Sequence, residues 1–450
     1  MSGSGEPVRL CDYSRIEDQA TLNLCLKMQD KIQRQQCRLV DLLEPRKGEK
    51  RREPADSVKL VEREADGTWR TRNCIGLFQL GEERVVITSR FDQRDKSGQP
   101  GKPFFLSYLL ETCWDAALLA LEPLGGAYER DMFDVLLVTK LAIQIQKAWK
   151  KGTLRQYRTF QNNDSRVRGP IDVPRHIREN LGQDNGRIAY RTRAYSTDNP
   201  YNILLLQAVD TAARKHPALL SRLCRLPEFQ AALRTLRQEA PDWAGVRREA
   251  VLRHTAKKIV NPVYRDYEPA RTAAQAILRR LGADPQEKSQ RGSVVTGAFL
   301  DMDELWERFL AKELFGGAAG AVQQTRSILG GSVNVRPDFL WSEKGMVLDA
   351  KNRPAWSRTL ESKFWGKDVV DDVHQVLSYM LALDCQDGGV IFPDRDHRPH
   401  TPQRSPVGGR RFWRVPVYIP QADDYAAFAR QMKEETERLK GTEIVRAVSG

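Results

Sequence analysis

The chain has 450 residues, 40% hydrophobic and 8% aromatic, which is apolar material for several cores and too much for a disordered protein. Lysine and arginine outnumber aspartate and glutamate by 72 to 59, a net charge of +13, and that excess suits a polyanionic partner such as nucleic acid. Seven scattered cysteines without a Cys-x-x-Cys pair argue against a disulfide frame or zinc site. No apolar run approaches the roughly 18 residues of a membrane span. The N-terminus, Met1-Ser-Gly-Ser-Gly-Glu6, has no basic segment leading into an apolar one, so a cytoplasmic protein with reduced thiols is expected.

Ser14-Arg-Ile-Glu17 has capping-box spacing and predicts a helix running to about Leu43. The charged segment from Glu44 to Pro54 reads as a solvated linker, so residues 1–56 are expected to be a helical extension. Val58–Val61, Trp69–Gly76 and Arg84–Thr88 read as strands, and helices are predicted near 104–123 and 129–151, giving a β-rich domain over 57–165. Residues 166–296 read as a mostly helical middle domain. It holds a strand at Arg187–Tyr195 and a helix entered through Asp198-Asn-Pro-Tyr-Asn202, with breaks at His216-Pro217, Asn261-Pro262 and Gly282 to Pro285.

The last domain, 297–450, opens with a helix that begins at or before Asp301 and runs through Leu314. A hairpin of Phe339–Trp341 and Met346–Leu348 follows, then a loop with Trp356 and Trp365 and a helix over Asp368–Leu383. Strands at Gly388–Phe392 and Phe412–Ile419 and a helix over Ala422–Lys440 complete it, with His397 and His400 in a solvated loop. This order describes a mixed α/β sandwich, and the whole chain an α/β (α+β multidomain) protein.

The hairpin carries the chemistry. With Glu343 and Lys344 as a two-residue loop, Asp338 lies directly opposite Asp349, their Cβ atoms roughly 4.5–5.5 Å apart. Lys351 points to the same face as Asp349 because side chains alternate along a strand. Like charges placed opposite each other are unfavourable unless something positive joins them, and a divalent metal ion would do so. A left-handed Gly345 would instead allow a three-residue loop with a bulge and slip the register by one. On the helix Met302–Leu314, Glu307 falls at the edge of the apolar stripe and Glu304 faces away, while Glu313 rivals Glu307 from within the stripe. Gln375 and Tyr379, four apart on a helix, share a face.

Together Glu307, Pro337-Asp338, Asp349-Ala-Lys351 and Gln375-Val-Leu-Ser-Tyr379 resemble the PD-(D/E)XK nuclease core. Over about 70–420 the chain resembles the McrC family, nuclease subunits of 5-methylcytosine restriction systems. Further motifs that carry this likeness are Arg168-Gly-Pro-Ile-Asp172, Asp198-Asn-Pro-Tyr-Asn202 and Met302-Asp-Glu-Leu-Trp-Glu-Arg-Phe309. The strand end Ile87-Thr-Ser-Arg90 departs from the Pro-Lys ending common there.

The resemblance implies a Mg²⁺-dependent DNA endonuclease acting in anti-phage defence. It implies an N-terminal part that docks on and stimulates a separate McrB-type AAA+ GTPase, and a substrate of modified double-stranded DNA. Asp338, Asp349 and Glu307 would hold one or two Mg²⁺ ions, and Lys351 and Gln375 would act beside them. Arg336 and the basic loop Arg395 to Arg411, with Arg410 and Arg411, would contact the DNA backbone. No Gly-x-x-x-x-Gly-Lys-Ser/Thr loop occurs, so nucleotide binding by that route is not expected of this chain. Two other functions fit the same residues, a non-catalytic activator of the GTPase and a nuclease of another defence or repair system.

Overall fold

A computed structural model describes residues 7–43, 53–64, 66–92, 102–114, 128–182, 185–280, 294–316, 326–328, 333–360, 365–395 and 401–449. The end of the helix predicted near 104–123, most of the linker from Glu44, the break from Gly282 to Pro285, and His397 and His400 lie outside them. The chain falls into two compact units, residues 1–131 with 289–450, and residues 132–288.

The first unit holds two five-stranded sheets. In one, the strand order is Val8–Cys11, Glu83–Thr88, Cys74–Leu80, Val295–Asp301 and Cys37–Asp41. The helical extension expected over 1–56 is therefore corrected: its ends are strands of this sheet, paired parallel to Glu83–Thr88 and to Val295–Asp301. The helix between them runs only from Gln19 to Gln33, capped by Asp18 rather than Ser14. It buries Leu22, Cys25, Met28 and Ile32, which keep i, i+3, i+4 spacing from Leu22 to Ile32. Beyond it, Leu39 and Val40 are buried as strand residues. The hydrophobic content of this segment was visible, but its change of period from helix to strand was not. The strand expected over Trp69–Gly76 breaks into Trp69–Thr71 and Cys74–Leu80, and Asn73 at the break bonds Asp301. Val295–Asp301, expected at the head of the last domain, is a strand of this first sheet.

The second sheet has the order Phe339–Trp341, Met346–Ala350, Asp387–Asp394, Arg410–Tyr418 and Gln403–Val407. The two outer pairings are antiparallel and the two inner ones parallel. Leu340, Val347, Val390, Phe392 and Phe412 pack with Val369, Val376 and Met380 of the helix Lys367–Ala382 in one core cluster. Near this sheet, Phe105, Tyr108, Trp306, Phe309 and Phe428 join the helices Phe104–Trp114, Met302–Glu313 and Tyr425–Lys440 through ring contacts.

The second unit is a hairpin, Gln156–Asp164 with Ile188–Ser196, and helices around the buried helix Pro200–Lys215. Two motifs of the McrC likeness serve this architecture. Asn199 caps the helix by accepting from Tyr201 and Asn202 N–H, and both Asn side chains donate to the Leu154 carbonyl. Asp172 caps Val173–Asn180 and pairs with Arg191.

Gly297 sits in the first sheet at φ +151°, where a Cβ would stand 1.8 Å from the Leu77 carbonyl oxygen. Gly297→Ala is expected to destabilise the protein by at least about 1–3 kcal/mol from backbone strain alone. A denaturant titration that leaves the midpoint unchanged would refute this packing.

Candidate active site

The hairpin register places Phe339 opposite Leu348, Leu340 opposite Val347 and Trp341 opposite Met346. One step further, this sets Asp338 opposite Asp349. Gly345 is left-handed, at φ 59°, yet the register does not slip. The loop is Ser342–Gly345, longer than the two residues expected and closed by a short helical turn at Ser342–Lys344. An Asp338 oxygen accepts the Ala350 N–H at 2.8 Å, tying the two strands together at the acids themselves. Pairing with Asp387–Asp394 continues past Ala350, because Lys351 N–H donates to the Ile391 carbonyl.

Lys351 Nζ lies 2.7 Å from Asp349 and 3.2 Å from Asp372, and donates to Gln375 Oε1 at 3.0 Å. Gln375 in turn donates to the Tyr379 hydroxyl at 2.8 Å. Burial would pull the Lys351 ammonium down, but Asp349 and then Asp372 overcome it and push its pKa up. Lys351 is therefore held as a cation. Asp338 behaves oppositely: burial first, then the charges of Asp349 and Glu307, raise its carboxyl well above the usual range.

Glu307, Asp338, Asp349, Lys351 and Gln375 line a polar cavity of about 330 Å³ that also includes Asn73, Asp301, Asp303, Glu304, Arg336, Asn352 and Arg353. Six of its lining side chains are acidic and only Arg336, Lys351 and Arg353 are cationic, so a phosphate entering it would meet an excess of negative charge. Asp301 caps the helix Met302–Glu313, and burial, then Asp303, raises its pKa to about 7. Burial likewise raises Asp303, against the lowering effect of Arg353 and Arg90.

The expected residues are distributed unevenly. Glu307, Arg336, Asp338, Asp349, Lys351 and Gln375 all reach the cavity. Glu304, expected to face away, also lines it and pairs with Arg308. Glu313 is not part of the lining and lies toward Tyr108, which burial and then Glu313 push up.

Arg410 and Arg411 do not line the cavity. Arg410 donates to the Met380 and Cys385 carbonyls, holding the end of the helix Lys367–Ala382, and Arg411 pairs with Asp387. Both stand at the amino-terminal end of the strand Arg410–Tyr418, which runs parallel to the one whose carboxyl end bears Asp349. Asp372 was missed. It is buried, accepts from Trp356 Nε1 at 2.9 Å, and braces Lys351 and Arg353. Its position three residues before Gln375 on the same helix face was the available signal.

Among the described residues no three acidic, histidine or cysteine side chains form a ready-made ligand cage. The expected set of Glu307, Asp338 and Asp349 shares the cavity without closing into one. The pair Asp338 and Asp349 is the part suited to a cation. Two carboxylates roughly 5 Å apart repel by about 3 kcal/mol at an effective dielectric near 20, and a hard divalent ion that keeps most of its waters needs few such ligands.

Fold and site thus define a two-unit α/β protein with an acidic, lysine-bearing cavity at the end of a mixed sheet. The chain belongs to the McrBC 5-methylcytosine restriction system component family, whose model matches residues 69–393, and it is a component of a system of that kind. A chain in the refined half-complex from the tetradecameric assembly of Thermococcus gammatolerans McrB AAA+ hexamers with bound McrC shares its fold. The two are 15% identical with a TM-score of 0.51, over 96% of this chain and 100% of that one. A chain in the cryo-EM structure of the Thermococcus gammatolerans McrBC complex is 16% identical with a TM-score of 0.33, over 69% of this chain and 87% of that one. No curated protein matches. Among the described residues no helix is long and apolar enough to cross a membrane.

A folded-state pKa above the unfolded one penalises folding once the carboxyl must ionise. For Asp338 the penalty is absent below the unfolded value, grows as pH rises through it and is complete above the folded value. In chelator, Asp338→Asn should therefore raise the melting temperature at pH 8, and the gain should shrink toward pH 4. A gain that grows on acidification would contradict the raised carboxyl.

Proposed function

We propose that this chain is the DNA-cleaving subunit of its restriction system, an McrC-type, Mg²⁺-dependent endonuclease of the PD-(D/E)XK kind. The observation that carries the reading is the Asp338 and Asp349 pair, raised and mutually repelling at Asp338, with Lys351 held as a cation 2.7 Å from Asp349. Bound at this pair, Mg²⁺ would lower the pKa of a water and stabilise charge on the leaving oxygen.

The chain's own residues supply the rest. Lys351, fixed by Asp349, Asp372 and Gln375, presents a positive charge where the phosphate becomes more anionic. Glu307 supports the acidic side of the cavity, and Arg336 at its rim reaches the DNA backbone.

The partner we assign is a separate McrB-type AAA+ GTPase. In its support, the solved assembly that shares this fold contains McrB AAA+ hexamers with bound McrC. The net charge of +13 suits double-stranded DNA delivered by such a partner. An intact acid pair and lysine weigh against a chain that serves only as an activator.

Asp349→Ala and Lys351→Ala are each expected to reduce Mg²⁺-dependent cleavage of methylated DNA by at least about 100-fold. Both should leave assembly with the GTPase and GTP turnover intact. Full cleavage by either variant in the reconstituted complex would overturn the assignment.

A further inference from the structure

Arg90 stands in the turn just beyond the strand Glu83–Thr88 of the first sheet, far in sequence from the acids, yet it reaches the residue next to Lys351. One of its terminal nitrogens, Nη2, donates to the Asn352 carbonyl at 2.6 Å and to Asn352 Oδ1 at 3.1 Å. The other, Nη1, pairs with Asp12, whose carboxylate also accepts the Arg90 N–H. Asp12 is fully buried. Such a charge persists only when paired and hydrogen-bonded, so Arg90 is fixed from behind and cannot follow Asn352 if that residue moves.

Asn352 is itself buried, and its side chain also bonds to Asp303. The guanidinium, which holds both its carbonyl and its side-chain oxygen, fixes its orientation from the other side. The neighbouring Tyr13 adds a second restraint. It is a non-glycine residue at φ 55°, stacked under the Arg90 guanidinium, and its hydroxyl donates to Asp303 in the cavity wall at 3.4 Å. Strained residues of this kind survive where the surroundings over-determine them. Two cavity residues, Asn352 and Asp303, are thus held from one cluster at the edge of the first sheet.

We infer that Arg90, anchored by Asp12, is a positioning residue of the cleavage site that acts through Asn352 to hold Lys351 in register with Asp349. The inference builds on the nuclease reading. It adds that the first sheet, contributed largely by the N-terminal part of the chain, controls the geometry of the catalytic strand. Arg90 touches neither DNA nor metal in this scheme.

Two measurements on the full chain test it. The first is hydrogen exchange of the peptide covering 346–356. Arg90→Ala should speed exchange there while the helix Gln19–Gln33 stays protected, and Arg90→Lys, which keeps a donor and the charge, should restore part of the protection. Unchanged exchange over 346–356 in Arg90→Ala would overturn the inference whether or not the protein cuts DNA.

The second is a double-mutant cycle on cleavage by the complex with its GTPase. Arg90→Ala and Asn352→Ala should each lower kcat by about 10- to 100-fold and leave KM for DNA within about twofold. The double variant should be no slower than the worse single one, because the two residues act as one unit. Losses that multiply would sink the inference while leaving the nuclease reading standing. A wild-type complex that does not cut, or an Asp349→Ala complex that does, would refute the nuclease reading, and the exchange result would then decide the role of Arg90.

Discussion

The structure turns on two like charges that the backbone brings together. The hairpin register leaves Asp338 and Asp349 no alternative to facing each other, and the Ala350 N–H bond to Asp338 locks them there. Lys351 answers only part of that repulsion, because it is shared between Asp349 and Asp372. Burial first, then the charges of Asp349 and Glu307, leave Asp338 with a raised pKa. We propose that a pair kept at such a cost is completed by a cation brought from solution.

Everything around the pair serves to keep it rigid. The parallel strand Asp387–Asp394 fixes the backbone of Lys351 through Ile391. The helix Lys367–Ala382 brings Asp372, Gln375 and Tyr379 onto one face, and its end is held by Arg410. From the other direction, the first sheet supplies Asn73 and Asp301 at the helix cap, and Arg90 beside Asn352. Arg410 and Arg411, expected at the DNA backbone, also make contacts that build the scaffold. The net charge of +13 describes the whole chain and not its cavity, where acids outnumber cations.

The hairpin, the helix start at Asp301 and the cluster of Asp338, Asp349, Lys351 and Gln375 were legible because they depend on local rules, alternation, capping and helical spacing. The first sheet was legible only at Glu83–Thr88 and the start of Cys74–Leu80. Its strands come from residues 8–11, 37–41, 74–88 and 295–301, and pairing over such separations leaves no local pattern. For the same reason Arg90 showed itself only as a departure from a familiar strand ending, with no hint that it meets Asn352. Asp372 was within reach of helical spacing, whereas the roles of Arg410 and Arg411 depend on which end of a parallel strand they occupy. That is a property of topology and not of composition.

The most direct test of the central claim is calorimetric titration of the full chain with Mg²⁺ in buffers of different ionisation enthalpy. Binding at an acid pair with one raised carboxyl should be accompanied by proton release. It should also disappear when Asp338→Asn and Asp349→Asn are combined. Mg²⁺ binding of unchanged affinity in that double variant, or none in the wild-type chain, would contradict the account.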